Sequence, residues 1–161
     1  MTRKRWLLAC AGIVLLAGIG VFAWLSTSDG VPPPRAVVYT DFQACLLTGP
    51  QGLTDPTAAT VWSGMQDAST ATRAKVSYLA PTGPDTTGTV SPYVATLVQR
   101  QCNIVLTTDT TAADAITQAA AQHTDVRFVT VNGSAGSGKV TTIPPDSAAI
   151  SRLIQEAIAH S

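Results

Sequence analysis

From residue 36 onward, short apolar runs alternate with amphipathic helical stretches, and this alternation restricts the fold more than any other feature. The runs at 44–48, AKVSYLA (74–80), NIVLT (103–107), VRFVTV (126–131) and KVTTI (139–143) read as strands. Between them lie helix-start signals. Asp55-Pro56 is a capping residue followed by proline at the first helical position, opening a helix to about Ser69 with Val61, Trp62, Met65 and Ala68 on one face. Ser91-Pro92 repeats the signal, with Tyr93, Val94, Leu97 and Val98 inward. Asp109 to Thr111 offer caps for an Ala-rich helix ending near His123. Asp146 caps a last helix whose stripe is Ile150, Leu153, Ile154, Ala157 and Ile158. Apolar strands alternating with helices imply a parallel sheet covered on both faces. Right-handed crossovers then leave a single doubly wound α/β sheet, flavodoxin-like, of 2-1-3-4-5 order.

Ahead of this domain the composition changes. Arg3, Lys4 and Arg5 precede residues 7–25, 19 residues without a charge and close to the ~20 that span a bilayer as a helix. Trp6 and Trp24 bracket the run as interfacial aromatics do. The basic flank should stay inside. The expected organisation is therefore a cytoplasmic tail (1–5), a single-pass signal anchor (6–25), a Pro-rich linker (26–35) and an extracytoplasmic lobe (36–161). No clear A-x-A cleavage site follows the apolar run, which favours an uncleaved anchor. Leu7-Leu8-Ala9-Cys10 is similar to a lipid-attachment box, but too few apolar residues precede Cys10, which reads as a small residue of the membrane helix. Ten basic residues balance ten acidic ones. Without the three at the start, seven face ten, so the remainder carries −3. That balance excludes a nucleic-acid footprint.

In doubly wound sheets, ligands meet the carboxyl ends of the strands. Here those ends are 48–55, 80–88, 107–111 and 132–139. They supply the candidate ligand-binding residues Thr48, Gly49, Thr54, Asp55, Thr108, Asp109 and Asn132. Asp41, Asp55, Asp85 and Asp109 are the carboxylates considered for one rim; Asp41 precedes the first strand and belongs to the other end. Asp55 and Asp109 double as helix caps. Trp62 sits on an apolar helix face and reads as core.

The segment VNGSAGSGKVTT has the G-x-x-x-x-G-K spacing of a phosphate-binding loop, from Gly133 to Gly138 and Lys139. Val140 stands where a Mg²⁺-binding Ser or Thr belongs, and a β-branched run ended by two prolines follows in place of a helix. The segment reads as a Gly/Ser loop between strands, and no cofactor is expected. Cys45 and Cys102, the two cysteines of the exported part, are not in a C-x-x-C, and neither has the further ligands of a metal site. His123 at a helix end and His160 at the terminus read as solvated. No G-x-S-x-G is present. No catalytic residue and no metal site are assigned. Cys45 lies near the start of the first strand and Cys102 just before the third. Those strands are neighbours in the 2-1-3 order, about 4.8 Å apart, so a disulfide is expected.

The order of a strand, a loop into a helix bearing W-x-G (Trp62, Gly64), KVSYL, NIVLTT and the closing H-T-D-V-R-F-V-T-V-N segment resembles the N-terminal lobe of the basic membrane protein family. These are nucleoside-type substrate-binding proteins of ABC importers with the type I periplasmic-binding fold. The resemblance spans about 41–145. It implies a ligand-binding or accessory lobe rather than an enzyme, with a small-molecule ligand and with a homodimer or partner lobe as second wall. The family's Asp-Lys-Ser-Phe-Asn run corresponds here to Thr54, Asp55, Pro56, Thr57 and Ala58, without the base-stacking aromatic. A cell-surface scaffold and an exported flavodoxin-like hydrolase are the alternative function classes.

Overall fold

The first strand, β1 (Gln43–Leu47), alternates its side chains between two buried faces. Ala44 and Leu46 enter one apolar cluster, Cys45 and Leu47 the other. This period of two within the apolar run Ala44–Leu47 is the mark of a central strand covered on both sides. The computed structural model describes residues 38–133 and 139–161. The expected tail, anchor and linker (1–5, 6–25 and 26–35) lie outside the described residues. Among the described residues no helix is long and apolar enough to cross a membrane.

After β1 a short 3-10 turn (Gly52–Thr54) leads into α1 (Pro56–Thr72). There follow β2 (Lys75–Leu79), α2 (Thr87–Gln99), β3 (Ile104–Thr107), α3 (Thr110–Ala120), β4 (Arg127–Val131), β5 (Val140–Ile143) and α4 (Ser147–Ala159). The strands form one five-stranded sheet of order β2-β1-β3-β4-β5, parallel at every pairing. Helices α1 and α4 cover one face over Leu46, Ile104, Leu106 and Val129, adding Val61, Met65, Ile150 and Ile154. Helices α2 and α3 cover the other over Leu47, Val105 and Phe128, adding Val94, Leu97 and Ile116.

Trp62 is half-buried against the first cluster and meets Tyr78 of β2 edge-to-face at 5.3 Å. Gly64 marks the α1–α4 crossing. A Cβ there would overlap the Ser147 carbonyl oxygen and come 2.9 Å from Ile150 Cβ, so glycine lets the two helices touch backbone to side chain.

Several expected boundaries move. Helix α2 begins at Thr87, not at Pro92. The Thr86 hydroxyl accepts from the Thr89 amide at 3.3 Å and caps the helix five residues before Ser91 would. Pro92 is then the sixth helical residue, where the carbonyl it leaves without a donor is that of Gly88, still in the exposed first turns. Helix α1 continues past Ser69 to Thr72 and stops at Arg73, which takes the left-handed conformation (φ 61°). Helix α3 ends at Ala120, before His123, because the Gln122 and His123 amides both donate to the Ala119 carbonyl and form a turn. Strand bounds differ from expectation by one residue at β1, β3, β4 and β5, and by one at each end of β2.

Cys45 and Cys102 form a disulfide, with their Cα atoms 5.9 Å apart. Cys45 is the third residue of β1 and pairs in register with Val105, so it sits further along its strand than expected. Cys102 reaches it from the turn before β3, which Gln101 enters with φ 59°.

Candidate functional site

The chain turns from one sheet face to the other between β1 and β3. β1 is followed by α1 on the first face, and β3 by α3 on the second. Beyond the carboxyl ends of such a pair the flanking loops diverge and leave a crevice. The crevice has a volume of about 270 Å³ and is lined by Gly49, Pro50, Gln51, Asp55, Thr57, Asp85, Thr108 and Asp109.

Each wall follows from its local sequence. The Thr48 amide donates to the Leu79 carbonyl at 3.0 Å and prolongs the β1–β2 pairing by one residue. Gly49 follows, and a Cβ there would stand 3.3 Å from Asp109 Oδ2, so the β1 loop and the start of α3 are in close contact. The Gly52 amide returns to the Gly49 carbonyl at 3.0 Å with φ 60° at Gly52, a left-handed turn that suits glycine. Asp55 Oδ2 accepts from the Ala58 amide at 2.8 Å and caps α1. Asp109 Oδ1 accepts from the Ala112 amide at 2.9 Å and caps α3. The Asp109 amide donates to Thr107 Oγ1 at 3.2 Å, and that hydroxyl donates to the Leu47 carbonyl at 2.9 Å, tying the Asp109 backbone to the buried end of β1. Asp85 is exposed and directly precedes the cap of α2.

The crevice thus collects three carboxylates at the starts of three helices, and no Lys or Arg lines it. Each capping aspartate uses one oxygen for its helix and has a second that a ligand donor could approach. The arrangement can accept hydrogen bonds from hydroxyl or amine groups. It holds no nucleophile–base pair, and among the described residues no group of three or more His, Cys, Asp or Glu could hold a metal ion.

Of the residues singled out in the sequence, Gly49, Asp55, Thr108 and Asp109 line the crevice. Thr48 is buried beneath it, with its hydroxyl donating toward the Gly49 and Leu79 carbonyls at 3.0 and 3.3 Å. The Thr54 hydroxyl turns back to the Gln51 carbonyl at 2.7 Å. Asn132 stands at the end of β4, one strand further along the sheet, exposed and left-handed (φ 60°). Pro50, Gln51 and Thr57 line the crevice without having been singled out. The signal for Pro50 and Gln51 was position in the loop that follows the first central strand, and for Thr57 its place in the first turn of α1, where the resembled family has its Phe. Asp85, considered for the rim, lines it as well, while Asp41 lies at the opposite end beside Lys75, 3.7 Å away. The Tyr93 phenol oxygen accepts from the Thr82 amide at 3.1 Å and meets the Thr82 hydroxyl at 3.1 Å, pinning the loop that carries Asp85. The Thr82 hydroxyl first, and its amide second, hold the Tyr93 pKa below the ordinary 10.0.

Lys139 leads into β5 and not into a helix; residues 134–138 lie outside the described residues. A larger cavity, about 450 Å³, opens at the amino ends of β3, β4 and β5, lined in part by Phe42, His123, Asp125, Arg127, Lys139 and His160. It is at the wrong end of the sheet for the ligand position that doubly wound folds favour.

No protein-family model and no curated protein matches the chain. Solved structures share its fold, two of them as follows. One, from Peptoclostridium difficile 630, is a fragment described as a "putative lipoprotein"; it superposes with a TM-score of 0.63 at 12% identity, over 73% of this chain and 98% of that one. The other is a transcriptional activator of the comK gene from Bacillus halodurans, with a TM-score of 0.51 at 17% identity, over 62% of this chain and 33% of that one. At these identities the likeness is one of fold. A doubly wound lobe of this kind fills nearly all of one chain and a third of another.

Proposed function

We propose that the protein is a membrane-anchored, extracytoplasmic single lobe, related to type I substrate-binding proteins, that acts as a ligand-binding or accessory module and not as an enzyme. The observation that carries this reading is the crevice over β1 and β3. It is small and one-sided, with hydrogen-bond acceptors and no aromatic stacking surface, which is what one half of a two-walled site offers. At about 270 Å³ it falls just short of the ~300–1,000 Å³ of ordinary small-molecule sites. A second wall, from another copy or a partner lobe, would complete it around a ligand bearing hydroxyl or amine groups. The Cys45–Cys102 disulfide supports export, since such bonds persist in oxidising compartments. The 19-residue apolar run behind Arg3, Lys4 and Arg5 supports a single-pass anchor with the lobe outside.

Protease applied to intact cells tests the placement. Loss of the lobe with retention of the anchor is expected. Protection in intact cells, with cleavage only after lysis, would reverse the topology.

A cell-surface interaction role is the second reading. Tyr78, on β2, is 46% exposed and backed by Trp62, an aromatic pair on a strand that is at the sheet edge among the described residues. Tyr78→Ser lowering retention of a surface partner, with the crevice residues intact, would favour it.

A further inference from the structure

The charges of the lobe are sorted by end. In the loops at the carboxyl ends of the strands stand Asp55, Asp85, Asp109 and Asp146, and among the described residues no Lys or Arg stands with them. At the amino ends, and in the turns leading to them, are Arg73, Lys75, Arg100, Arg127 and Lys139, all exposed, together with His123 and His160. Of the described Lys and Arg residues, only Arg152, midway along α4, lies elsewhere. The acids on the basic end are Asp41, already paired with Lys75, Asp125, and Glu156 on the last turn of α4, while Asp67 and Asp114 lie within α1 and α3.

Helix capping places the acids, since Asp55, Asp109 and Asp146 are N-caps and Asp85 precedes one, but it does not place Lys75, Arg127 and Lys139. Cations near helix C-termini are favourable, but no helix carries a basic residue in its last turn. Arg73 and Arg100 are C-caps, whereas Lys75 and Arg127 begin strands and Lys139 immediately precedes one. Among the described residues the only ion pair is Lys75 with Asp41, so Arg127 and Lys139 have no carboxylate partner there. They flank the cavity of about 450 Å³ with His123, His160 and one carboxylate, Asp125, so two fixed cations face one acid in an opening large enough for a phosphodiester headgroup.

The chain also enters the lobe at this end. The Thr40 amide donates to the Arg73 carbonyl at 2.9 Å, and the two residues before it, Val38 and Tyr39, are 75% and 52% exposed. Only residues 26–37 separate Leu25 from Val38, and twelve residues reach at most about 40 Å. On the membrane-anchored reading, on which this inference rests, a bilayer surface is therefore always within reach of the basic end.

We propose that the amino-terminal end of the sheet, centred on Arg127, Lys139 and Lys75, docks on anionic lipid headgroups. Val38 and Tyr39 would lie at the interface, where exposed aromatics are favoured, and the acidic crevice would face away from the membrane. Attraction of this kind acts within a Debye length of the surface and is lost at high salt.

The test uses the full chain in lipid nanodiscs, where both bilayer faces are open to reagents. Discs of phosphatidylcholine are compared with discs containing phosphatidylglycerol. The readout is the rate of labelling of Lys75 and Lys139 by a water-soluble amine reagent, followed by peptide mass spectrometry. Labelling of both lysines is expected to slow several-fold in the anionic discs only, and to recover at high salt. The variant Arg127→Glu, a change at an exposed position, should restore Lys75 and Lys139 labelling in anionic discs. Retention of the chain by neutral discs reports the anchor separately. Retention with equal labelling in the two lipids overturns the docking proposal and leaves the anchor standing. Equal slowing in both lipids, or the same protection by a soluble polyanion without lipid, also overturns it. If neutral discs fail to retain the chain, the anchor reading falls. Docking then stands only if anionic discs alone retain the chain and protect both lysines; retention by neither lipid overturns both.

Discussion

Gly64 shows how one position sets a contact. The α1–α4 packing leaves no space for a Cβ, whose neighbours would be the Ser147 backbone and Ile150. Gly64→Ala should destabilise the lobe by roughly 1–3 kcal/mol, the range for overpacking a tight site, although alanine is the better helix former. An unchanged urea midpoint would mean that the helices can separate without cost. Arg73 presents the converse case. It holds φ 61° at the end of α1, a conformation that costs a non-glycine residue about 1 kcal/mol or more. Arg73→Gly should therefore stabilise by about 0.5–1 kcal/mol, visible as a rise in the same midpoint. Tyr93 offers a titration. Its pKa in the folded lobe is lowered by the Thr82 hydrogen bonds, so the fold favours the phenolate. The corresponding stability is fully present above the unfolded value of 10.0 and is lost as pH falls through the lower folded value. Tyrosinate absorbance should show a component rising below pH 10.0 that Tyr93→Phe removes. Its persistence in the variant would show that another tyrosine is responsible.

At the scale of elements, the disulfide joins the two central strands β1 and β3. It closes a loop with a sequence separation of 57, for which the chain-entropy relation gives about 4 kcal/mol of stabilisation. Cys45→Ala with Cys102→Ala should lower unfolding stability by an amount of that order, and alkylation of the purified native chain should find neither thiol free. Alkylation of both Cys45 and Cys102 would remove the main support for export. The pairing was legible because the apolar alternation settled the strand order, and strand order brings the two cysteines together. The order itself was legible because β1, β3 and β4 are apolar on both faces, which leaves them no role except central strands. The start of α2 was not. Ser91-Pro92 is a good local start signal, but Thr86 is another, and a hydrogen bond between the Thr86 and Thr89 side chains (2.9 Å) reinforces the earlier cap. A single sequence carries no local term that ranks one cap above the other. In the crevice, Gly49 and Asp109 were legible from loop position, whereas the seclusion of Thr48 and the remoteness of Asn132 depend on how far each strand runs before its chain turns.

Across the lobe, the sheet has a basic amino-terminal end, where Val38–Thr40 lead in, and an acidic, acceptor-lined carboxyl end opposite. The acidic end sets what the lone lobe can hold. Asp55, Asp85 and Asp109 can accept hydrogen bonds from hydroxyl or amine donors, but the same bonds are available in water, so each adds little net affinity. Stronger binding needs desolvation, and small-molecule sites usually bury 70–90% or more of a ligand's surface. One wall cannot do this, and no aromatic side chain lines the crevice to stack on a planar ring. Isothermal calorimetry on the detergent-solubilised, monomeric full chain should therefore detect no nucleoside binding tighter than about 100 μM, or roughly −5.5 kcal/mol. On the proposed two-walled reading, a second copy or partner lobe should tighten binding and make it sensitive to Asp109→Asn, whose cap the amide oxygen can retain while its negative charge is lost. A low-micromolar dissociation constant for the monomer alone would show that the crevice closes by itself, through movement of the 48–55 or 80–86 loop, and that the lobe is a complete binding protein without a partner.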